Sequence, residues 1–597
     1  MKKHYKILLI LIISIGIAIS CNKNVLNTEP FDKFSESVVW GSRATADAFV
    51  YSAYDAIVRG LYSSNIEYDA YTTNSIDNRG NAITRDEITH DYDAGFDQFS
   101  KIRMCNLIIQ KAEESTSLTE KDKTELVAEG KLLRAMVYFW QVKRFGRIVW
   151  VDHLLDITQT DFKLPLEDTP TSYAKIIQDC DDAIAGLPVE SLSGRANKYV
   201  AYALKTEVGL QAAAYTGDNS YYQKVVDAAD TVINSGIYSL DPDYEGIFNE
   251  NGRYSKEIIL GIYRSKENTY CNDIADLQNV LPNVSNDQLK VSGSGPFFKV
   301  DNIFEAWGFW GPSQNLIDDY LVIDNITDNA VRWDQTTQFT QNVTKVTGTD
   351  ADAIDAGKII GSGKINEIIY SNRDKRFAAS IVYDSCYWFN ELVSTCVKGN
   401  LNRVSQGGLF DCCVPETNNY WRKGVYNVVP RVYVGIPTDY HWVAFRLGKV
   451  YLNKAEALLK MNKIAEAVVV LNVTRTFHGG LPASTATTSS EAWTDYKRER
   501  RVELAKESVG DYYFSLLRWG KYGSDANSGR EPGAKIVELE QPATFMEISS
   551  DRQSYQVIKF IYNNNQIRVF DNTRRYLFPI PQAQIVRNPK FTQNPGW

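Results

Sequence analysis

Histidine is the side chain from which acid–base catalysis at neutral pH is most often built, and this chain has only five. One of them, His4, precedes a hydrophobic leader. The other four are His90, His153, His441 and His478. None of these four stands in a nucleophile motif, and no Gly-x-Ser-x-Gly elbow is present. The sequence therefore offers no histidine-based catalytic site.

Phosphate binding and glycoside hydrolysis are two kinds of chemistry that need no histidine. The stretch GSGK at 361–364 is not a phosphate-binding loop, because Lys358 stands where the earlier glycine is required and Ile365 replaces Ser or Thr. Glycoside hydrolysis needs only two carboxylates, so the 73 acidic residues leave that class open. We predict no cofactor.

The cysteines form one group in a loop-rich stretch. These are Cys386, Cys396, Cys412 and Cys413. In an exported protein such a group favours a disulfide, whose pairing the spacing leaves open. The group has no Cys-x-x-Cys and no nearby pair of histidines, so we predict no zinc or other metal site. Cys105 and Cys180 fall in helical patterns and are predicted to be buried thiols.

Aromatic and amide-rich loops are the remaining candidates for a functional site. A flat ring stacks on the C–H face of a sugar, while Asn, Asp and Arg side chains hydrogen-bond its hydroxyls. The candidates are Trp307 and Trp310 in EAWGFWGPS, Tyr387 and Trp388 in DSCYWFNE, and Tyr71, Asp77, Asn78 and Arg79 in AYTTNSIDNRGN. The alternative for each ring is that it packs in a core.

The N-terminus reads as an export signal. Lys2, Lys3 and Lys6 flank the start of a hydrophobic run at 7–19, which is too short to span a bilayer and fits a signal peptide. The run leads into Ala-Ile-Ser-Cys, with the cysteine at Cys21. We expect residues 1–20 to be a lipoprotein signal and Cys21 to be the lipidated first residue. An ordinary secretory signal with an incidental cysteine is the alternative.

Charge and composition narrow the class of partner. The 65 basic and 73 acidic residues give a formal charge of −8 without long blocks of one sign, which argues against a nucleic-acid partner. Hydrophobic residues make up 44% of the chain, which is enough for a large core.

Helical periodicity alternates with irregular sequence along the chain. Apolar spacings of three and four predict helices from about 120, 173, 204, 225 and 447. Short links between such helices suggest tetratricopeptide-like pairs. We expect a mainly α-helical scaffold at about 40–236 and 441–597. The stretch at about 237–440, which includes the loop-like VTGTDADAIDAGKIIGSGK at 346–364, is expected to be a large irregular region with short strands.

The C-terminal segment YLFPIPQAQIVRNPKFTQNPGW, residues 576–597, carries four prolines and many apolar side chains. Because proline fixes φ and removes a backbone donor, we expect an extended segment packed on the domain. This segment resembles the C-terminal signature of the SusD/RagB family of outer-membrane lipoproteins of Bacteroidetes. ERRVELAKESVGDYYFSLLRWG at 499–520 and RLGKVYLNKAEALLKMNKIAEAVVVLNVTR at 446–475 are similar to two further family segments, in the family's order.

The resemblance implies a single domain from 21 to 597, with tetratricopeptide-like helix pairs and an irregular ligand-binding face. It also implies a protein without catalytic activity, anchored by lipid in the outer membrane and facing the cell exterior. Such a protein captures a glycan and delivers it to a SusC-like, TonB-dependent β-barrel transporter. Peptide binding of the RagB type is the alternative, and a glycoside hydrolase is a more distant one.

Overall fold

The longer helices of this protein pack one against the next to form a scaffold. In the computed structural model, the described residues are 36–63, 67–156, 158, 161–282, 306–402, 415–426, 435–507, 509–561 and 567–597. The longer helices are Arg43–Tyr54, Phe99–Glu114, Glu120–Phe145, Thr169–Gly186, Lys198–Thr216, Ser220–Ile233, Leu447–Lys460, Ile464–Phe477, Ser489–Glu503 and Asp511–Tyr522. Shorter helices are Glu36–Val39, Gly60–Tyr62, Glu67–Ala70, Ala275–Val280, Gln314–Ile317, Thr337–Asn342, Ile365–Tyr370, Lys375–Ser380 and Gln582–Arg587, and Asp55–Arg59 is a π-helical turn.

The helix that begins at Glu120 shows how the sequence sets the ends of a helix. The Thr119 side chain accepts a hydrogen bond from the backbone N–H of Asp122, which satisfies a donor that the first turn leaves unpaired. The same helix ends at Gly146, where φ is +71° and glycine avoids the strain that a Cβ would cause. The five predicted helices are all present.

Consecutive helices pack as antiparallel neighbours, and the order continues across the irregular region. Ser220–Ile233 packs against Leu447–Lys460, which lies more than 200 residues later in the chain. Lys454 pairs with Asp230 at 2.5 Å across this junction, and the Asn453 side chain donates to the hydroxyl of Thr206, in the neighbouring helix Lys198–Thr216, at 2.8 Å. The scaffold is therefore a tetratricopeptide-like stack of helix pairs, and the irregular region is an insertion within it.

Close helix approach inside the stack depends on small residues. A Cβ added at Gly209 would lie 2.6 Å from the Val225 side chain, and one added at Gly186 would lie 2.8 Å from Ala128. Both positions sit where one helix crosses the next, so a larger residue there would push the two helices apart.

The strands are short and antiparallel. They are Ser75–Asp77, Ile258–Tyr263, Trp310–Pro312, Val322–Ile323, Ala330–Val331, Val343–Lys345, Ala353–Ile359, Ile381–Val382, Tyr387–Trp388, Glu391–Leu392, Tyr420–Trp421, His441–Arg446, Thr544–Ile548 and Ser554–Lys559. In the four-stranded sheet the order is Thr544–Ile548, Ser554–Lys559, Ala353–Ile359 and Val343–Lys345.

This sheet corrects the prediction that 346–364 is loop. Ala353–Ile359 is a central strand, and Gly357 lies where a Cβ would meet the Tyr555 ring at 2.6 Å. The glycine that suggested a loop instead makes room for a cross-strand aromatic side chain. The sheet also joins residues after 540 to the irregular region, a connection that the sequence did not indicate.

The C-terminal segment packs on the scaffold as predicted, with one difference. Tyr576, Phe578, Ile580 and Phe591 are buried. However, Gln582–Arg587 forms a short helix that begins after Pro581, because proline at a helix start loses no hydrogen bond. The prediction that this segment contains no helix is wrong over these six residues.

The cysteines that the structure describes are all buried thiols. Cys105 and Cys180 confirm the prediction, while Cys386 and Cys396 are each unbonded, so no disulfide joins them. The predicted lipidation site Cys21, together with Cys412 and Cys413, lies outside the described residues. Within the described ranges, no helix is both long enough and apolar enough to cross a membrane.

Candidate functional site

Two of the three loops singled out from the sequence meet in the structure. Strand Ser75–Asp77 pairs antiparallel with Trp310–Pro312, and Asp77 lies opposite Trp310. The pairing continues beyond the strands, since the Asn78 backbone N–H donates to the Phe309 carbonyl at 3.1 Å. Segments more than 200 residues apart in sequence therefore form one surface.

That surface carries a cation beside two aromatic rings. The guanidinium carbon of Arg79 lies 4.2 Å from the centroid of the Phe309 ring. The rings of Phe309 and Trp307 are nearly parallel, at 8°, with centroids 6.3 Å apart. The Trp307 side chain is 39% exposed. We call Asp77, Arg79, Trp307 and Phe309 the aromatic–arginine patch.

Asp77 fixes the position of Arg79. Its Oδ1 accepts hydrogen bonds from the Arg79 backbone N–H at 2.9 Å and from Nε at 3.2 Å. The Gly80 N–H donates to the Asp77 carbonyl at 3.0 Å, which closes the turn. Half of the Arg79 side chain remains exposed, at 51%. The guanidinium therefore has a defined position and still has N–H groups available to a ligand.

The helical scaffold holds the first segment of the patch through one arginine. Arg501, in helix Ser489–Glu503, donates from Nε to Asn74 Oδ1 at 2.7 Å and from Nη2 to the Thr73 carbonyl at 2.8 Å. Asp319 pairs with the same guanidinium at 2.7 Å. The residues directly before strand Ser75–Asp77 are thus hydrogen-bonded to a rigid helix, which limits motion of the patch.

Several residues predicted to bind ligand are buried instead. Trp310, Trp388 and Tyr71 are 8%, 5% and 6% exposed. Trp310 and Trp388 belong to one hydrophobic cluster, where Trp388 packs on Tyr420 at 5.9 Å. The structure thus places the Trp310 and Trp388 rings in a core, which is the alternative stated for them from the sequence, and it also buries Tyr71, which was predicted to supply a hydrogen bond. A role of these three residues in ligand binding stays a prediction. Asn78, 3% exposed, contributes its backbone to the strand pairing.

Phe309 is the residue that the sequence prediction missed. It is partly buried, and it packs edge-on against Trp310 with centroids 6.4 Å apart. Gly308, between Trp307 and Phe309, has φ of +50°, so the alternation of an extended strand does not describe this stretch and no pattern in the sequence indicated Phe309.

Tyr387 is exposed but belongs to a different surface. It is 67% exposed on a hairpin whose turn residues Phe389 and Asn390 both have positive φ. It borders a cleft of about 650 Å³ that Tyr383 and Phe477 also line. None of the described residues lining this cleft belongs to the aromatic–arginine patch.

One group of described residues has the composition of a metal site. Ligand atoms of Glu257, His478 and Glu503 lie within 4.8 Å of one another in the interior. Arg446 Nη1 already lies 2.8 Å from Glu257 and 2.7 Å from Glu503, while His478 Nδ1 lies 2.8 Å from Glu503. Burial alone would lower the pKa of His478, but Glu503 and Glu257 more than reverse this and raise it to about 9. A protonated imidazole between two arginine-paired carboxylates indicates an ion-pair network rather than a metal site.

Comparison with protein families gives two matches. A model described as the SusD family matches residues 266–597. A second model, described as "starch-binding associating with outer membrane", matches residues 36–210.

Individual relatives agree with these matches. A SusD-like protein from Bacteroides ovatus is 20% identical over 523 residues, which cover 83% of this chain and 79% of the relative. The starch-binding protein SusD from Bacteroides thetaiotaomicron is 29% identical over 157 residues, which cover 25% of this chain and 27% of that protein.

Solved structures show the same fold. A SusD-like protein from Bacteroides fragilis superimposes with a TM-score of 0.72 at 24% identity, covering 96% of this chain and 100% of that one. A laminarin-binding SusD-like protein gives a TM-score of 0.53 at 19% identity, with 93% and 99% covered.

Proposed function

This chain belongs to the SusD family, and from that premise we propose that it binds a glycan at the aromatic–arginine patch and does not cleave it. The observation that carries the proposal is the placement of the Arg79 guanidinium 4.2 Å from the Phe309 ring, beside the exposed Trp307. Names of the relatives support the class of ligand, since one is a starch-binding protein and another binds laminarin.

The chemistry of the patch suits a pyranose. Trp307 offers a flat apolar face to the ring C–H groups, and Arg79 offers several N–H donors to hydroxyl oxygens. Because Asp77 already holds the guanidinium, less conformational entropy is lost when a sugar hydrogen-bonds to it.

The same geometry argues against hydrolysis. Cleavage of a glycosidic bond requires two carboxylates on opposite sides of the linkage. The patch has one carboxylate, Asp77, and that carboxylate already accepts hydrogen bonds from Arg79.

We further propose that Cys21 carries a lipid that anchors the protein in the outer membrane on its exterior face, and that the bound glycan passes to a TonB-dependent transporter. The family description that associates matching proteins with the outer membrane supports the location. Affinity-tagged protein purified from detergent-solubilised membranes should retain a β-barrel transporter. Cys21→Ser should abolish labelling by an alkyne fatty acid.

Ligand screening tests the main proposal. Purified protein is applied to a glycan array and, in parallel, to a pool of oligopeptides, and the released material is examined for new reducing ends. We expect retention of at least one glycan without cleavage. Retention of peptides alone would favour the RagB-type alternative, and new reducing ends would identify a glycosidase.

A variant pair then locates the site. Trp307→Ala should weaken binding of the retained glycan by at least tenfold. Tyr254→Ala removes another exposed aromatic ring, 62% exposed and outside the patch, and should leave binding unchanged. Equal binding by wild type and Trp307→Ala would place the site elsewhere, and the Tyr387 cleft would be the next candidate.

A further inference from the structure

A second cavity lies within the helical scaffold. Its volume is about 550 Å³, within the range of roughly 300–1,000 Å³ that small-molecule sites occupy. Its walls come from helix Phe99–Glu114, from residues within 149–155 and 161–164, and from the short C-terminal helix with the residues that follow it. None of the described residues lining it belongs to the aromatic–arginine patch or to the Tyr387 cleft.

The walls are predominantly apolar. The apolar side chains are Phe99 and Ile102 of helix Phe99–Glu114, Leu155 and Phe162 of the second wall, and Phe591 of the C-terminal segment. Phe162 is 49% exposed and adds an aromatic ring to the apolar lining.

Hydrogen bonds connect the three walls. The Asn106 amide donates to the Val151 carbonyl at 2.9 Å, and the Asn588 amide donates to the Leu164 carbonyl at 2.7 Å. Both asparagines are buried. The cavity is therefore a preformed feature of the fold and not a gap between loosely packed segments.

The charged residues at the cavity are mostly cations. Arg103, Lys163 and Arg587 all line it and are exposed. Across the described part of the chain, none of their side chains forms an ion pair or hydrogen bond. The single carboxylate in the described lining is Asp161, whose Oδ1 accepts from the Lys163 backbone N–H at 2.9 Å. Three cations and one carboxylate leave a net charge of +2 beside an apolar cavity.

We infer that this cavity binds an amphipathic carboxylate: an alkyl chain in the apolar interior, ending in a carboxylate held by the guanidinium and ammonium groups. Apolar walls account for the chain, since burial of alkyl surface is favourable wherever water is excluded. The unpaired cations account for the carboxylate, because arginine binds it with charge-assisted hydrogen bonds. The inference does not depend on the proposed glycan binding.

Titration calorimetry with straight-chain probes tests it. Hexanoate, octanoate and decanoate are titrated into the full chain below their micellar concentrations, with 1-octanol and octylammonium as neutral and cationic matches. Each added methylene should tighten binding by about fourfold. Octanoate should bind at least tenfold more tightly than 1-octanol, and octylammonium should bind least. Equal affinity for octanoate and 1-octanol, or no binding by any carboxylate, would overturn the inference.

Charge-reversal variants locate the site. Arg103→Glu combined with Arg587→Glu alters two exposed side chains. This double variant should bind octanoate at least tenfold more weakly and should bind 1-octanol with unchanged affinity. The matched control is Lys256→Glu combined with Lys364→Glu, which changes the net charge equally at exposed positions that do not line the cavity. If the control variant lowers the affinity for octanoate by the same factor, the effect comes from net charge and not from the cavity, and the inference fails.

A cavity-filling variant gives an independent measurement. Leu155 is partly buried and lines the cavity, so Leu155→Trp should reduce the affinity for both octanoate and 1-octanol. Retained helical circular dichroism would show that the scaffold is intact. Unchanged octanoate affinity in a folded Leu155→Trp protein would also overturn the inference.

Discussion

The guanidinium carbon of Arg79 lies 4.2 Å from the centroid of the Phe309 ring. The Asp77 carboxylate accepts hydrogen bonds from the backbone N–H and the Nε of Arg79. The contact between Arg79 and Phe309 joins two segments that are far apart in sequence. An arginine placed in this way presents planar donors next to aromatic faces, an arrangement that lysine cannot reproduce.

Arg79→Lys should weaken glycan binding by about tenfold, and Arg79→Ala should weaken it further, by about 1.5–3 kcal/mol in total. The reason is the loss of the planar guanidinium, which donates several hydrogen bonds from one fixed position. Affinity electrophoresis with the glycan selected by the array measures both variants. Full binding by Arg79→Lys would show that only the positive charge matters.

Substitution of Trp310 should lower stability, whereas substitution of Trp307 should lower glycan binding and leave stability nearly unchanged. Trp310→Ala removes a ring that is 8% exposed within a hydrophobic cluster, and it should cost about 3–5 kcal/mol of stability. Trp307→Ala should change stability by no more than about 0.5 kcal/mol. Thermal unfolding of both variants makes the comparison. A large stability loss in Trp307→Ala would mean that its ring is structural.

His478 should make stability depend on pH in the alkaline range. Burial opposes protonation, but the surrounding Glu503 and Glu257 raise the pKa of His478 to about 9, whereas it is about 6.5 when unfolded. A raised pKa stabilises the folded state fully below pH 6.5, and this contribution is lost as the pH rises through 9. Its size is about 3 kcal/mol. The stability difference between wild type and His478→Gln should therefore shrink between pH 6.5 and 10.

His441 provides the matched control for this experiment. Burial lowers the pKa of His441 to about 4, so its imidazole is neutral throughout the range from pH 6.5 to 10. His441→Gln should consequently show a stability offset that does not vary above about pH 7.5, where His441 is neutral in both the folded and the unfolded state. If both variants changed with pH in the same way, the dependence would not come from His478.

Asn594 should be important for attachment of the C-terminal segment. Its amide donates to the Phe145 carbonyl at 3.0 Å and to the Phe578 carbonyl at 2.8 Å, and the residue is buried. Asn594→Ala leaves two buried carbonyl groups without this donor and should cost about 1–3 kcal/mol. Val586→Ala, at a side chain 74% exposed in the same segment, is the control and should have little effect. Thermal unfolding compares them, and equal midpoints would contradict this role.

The helical part of the fold could be predicted because its signals are local. Thr119 and Gly146 mark the two ends of one helix through hydrogen bonds and a backbone conformation that involve near neighbours. The strand Ala353–Ile359 was missed for the opposite reason. A Cβ at Gly357 would collide with the Tyr555 ring, on a strand about 200 residues later, and with Val343 on the other neighbouring strand.

In the candidate site, too, some features have local signals in the sequence and others depend on distant segments. Trp307 and Arg79 were identified by residue type, yet nothing local to either indicates that they face one surface. Trp310 looked equivalent to Trp307, but its pairing opposite Asp77 and its burial among other rings follow from the assembled fold. Exposure of a ring depends on which distant segment covers it, and the residues next to the ring in the sequence do not specify that segment.

The insertion of the irregular region between Ser220–Ile233 and Leu447–Lys460 has a consequence for synthesis. About 210 residues separate the two helices, and ribosomes add about 5–20 residues per second. The nascent chain therefore waits roughly 10–40 s before the helix that covers Ser220–Ile233 exists. During that time the face of Ser220–Ile233 that Leu447–Lys460 will cover remains open to solvent or to a chaperone, so this face is prone to aggregation in the newborn protein.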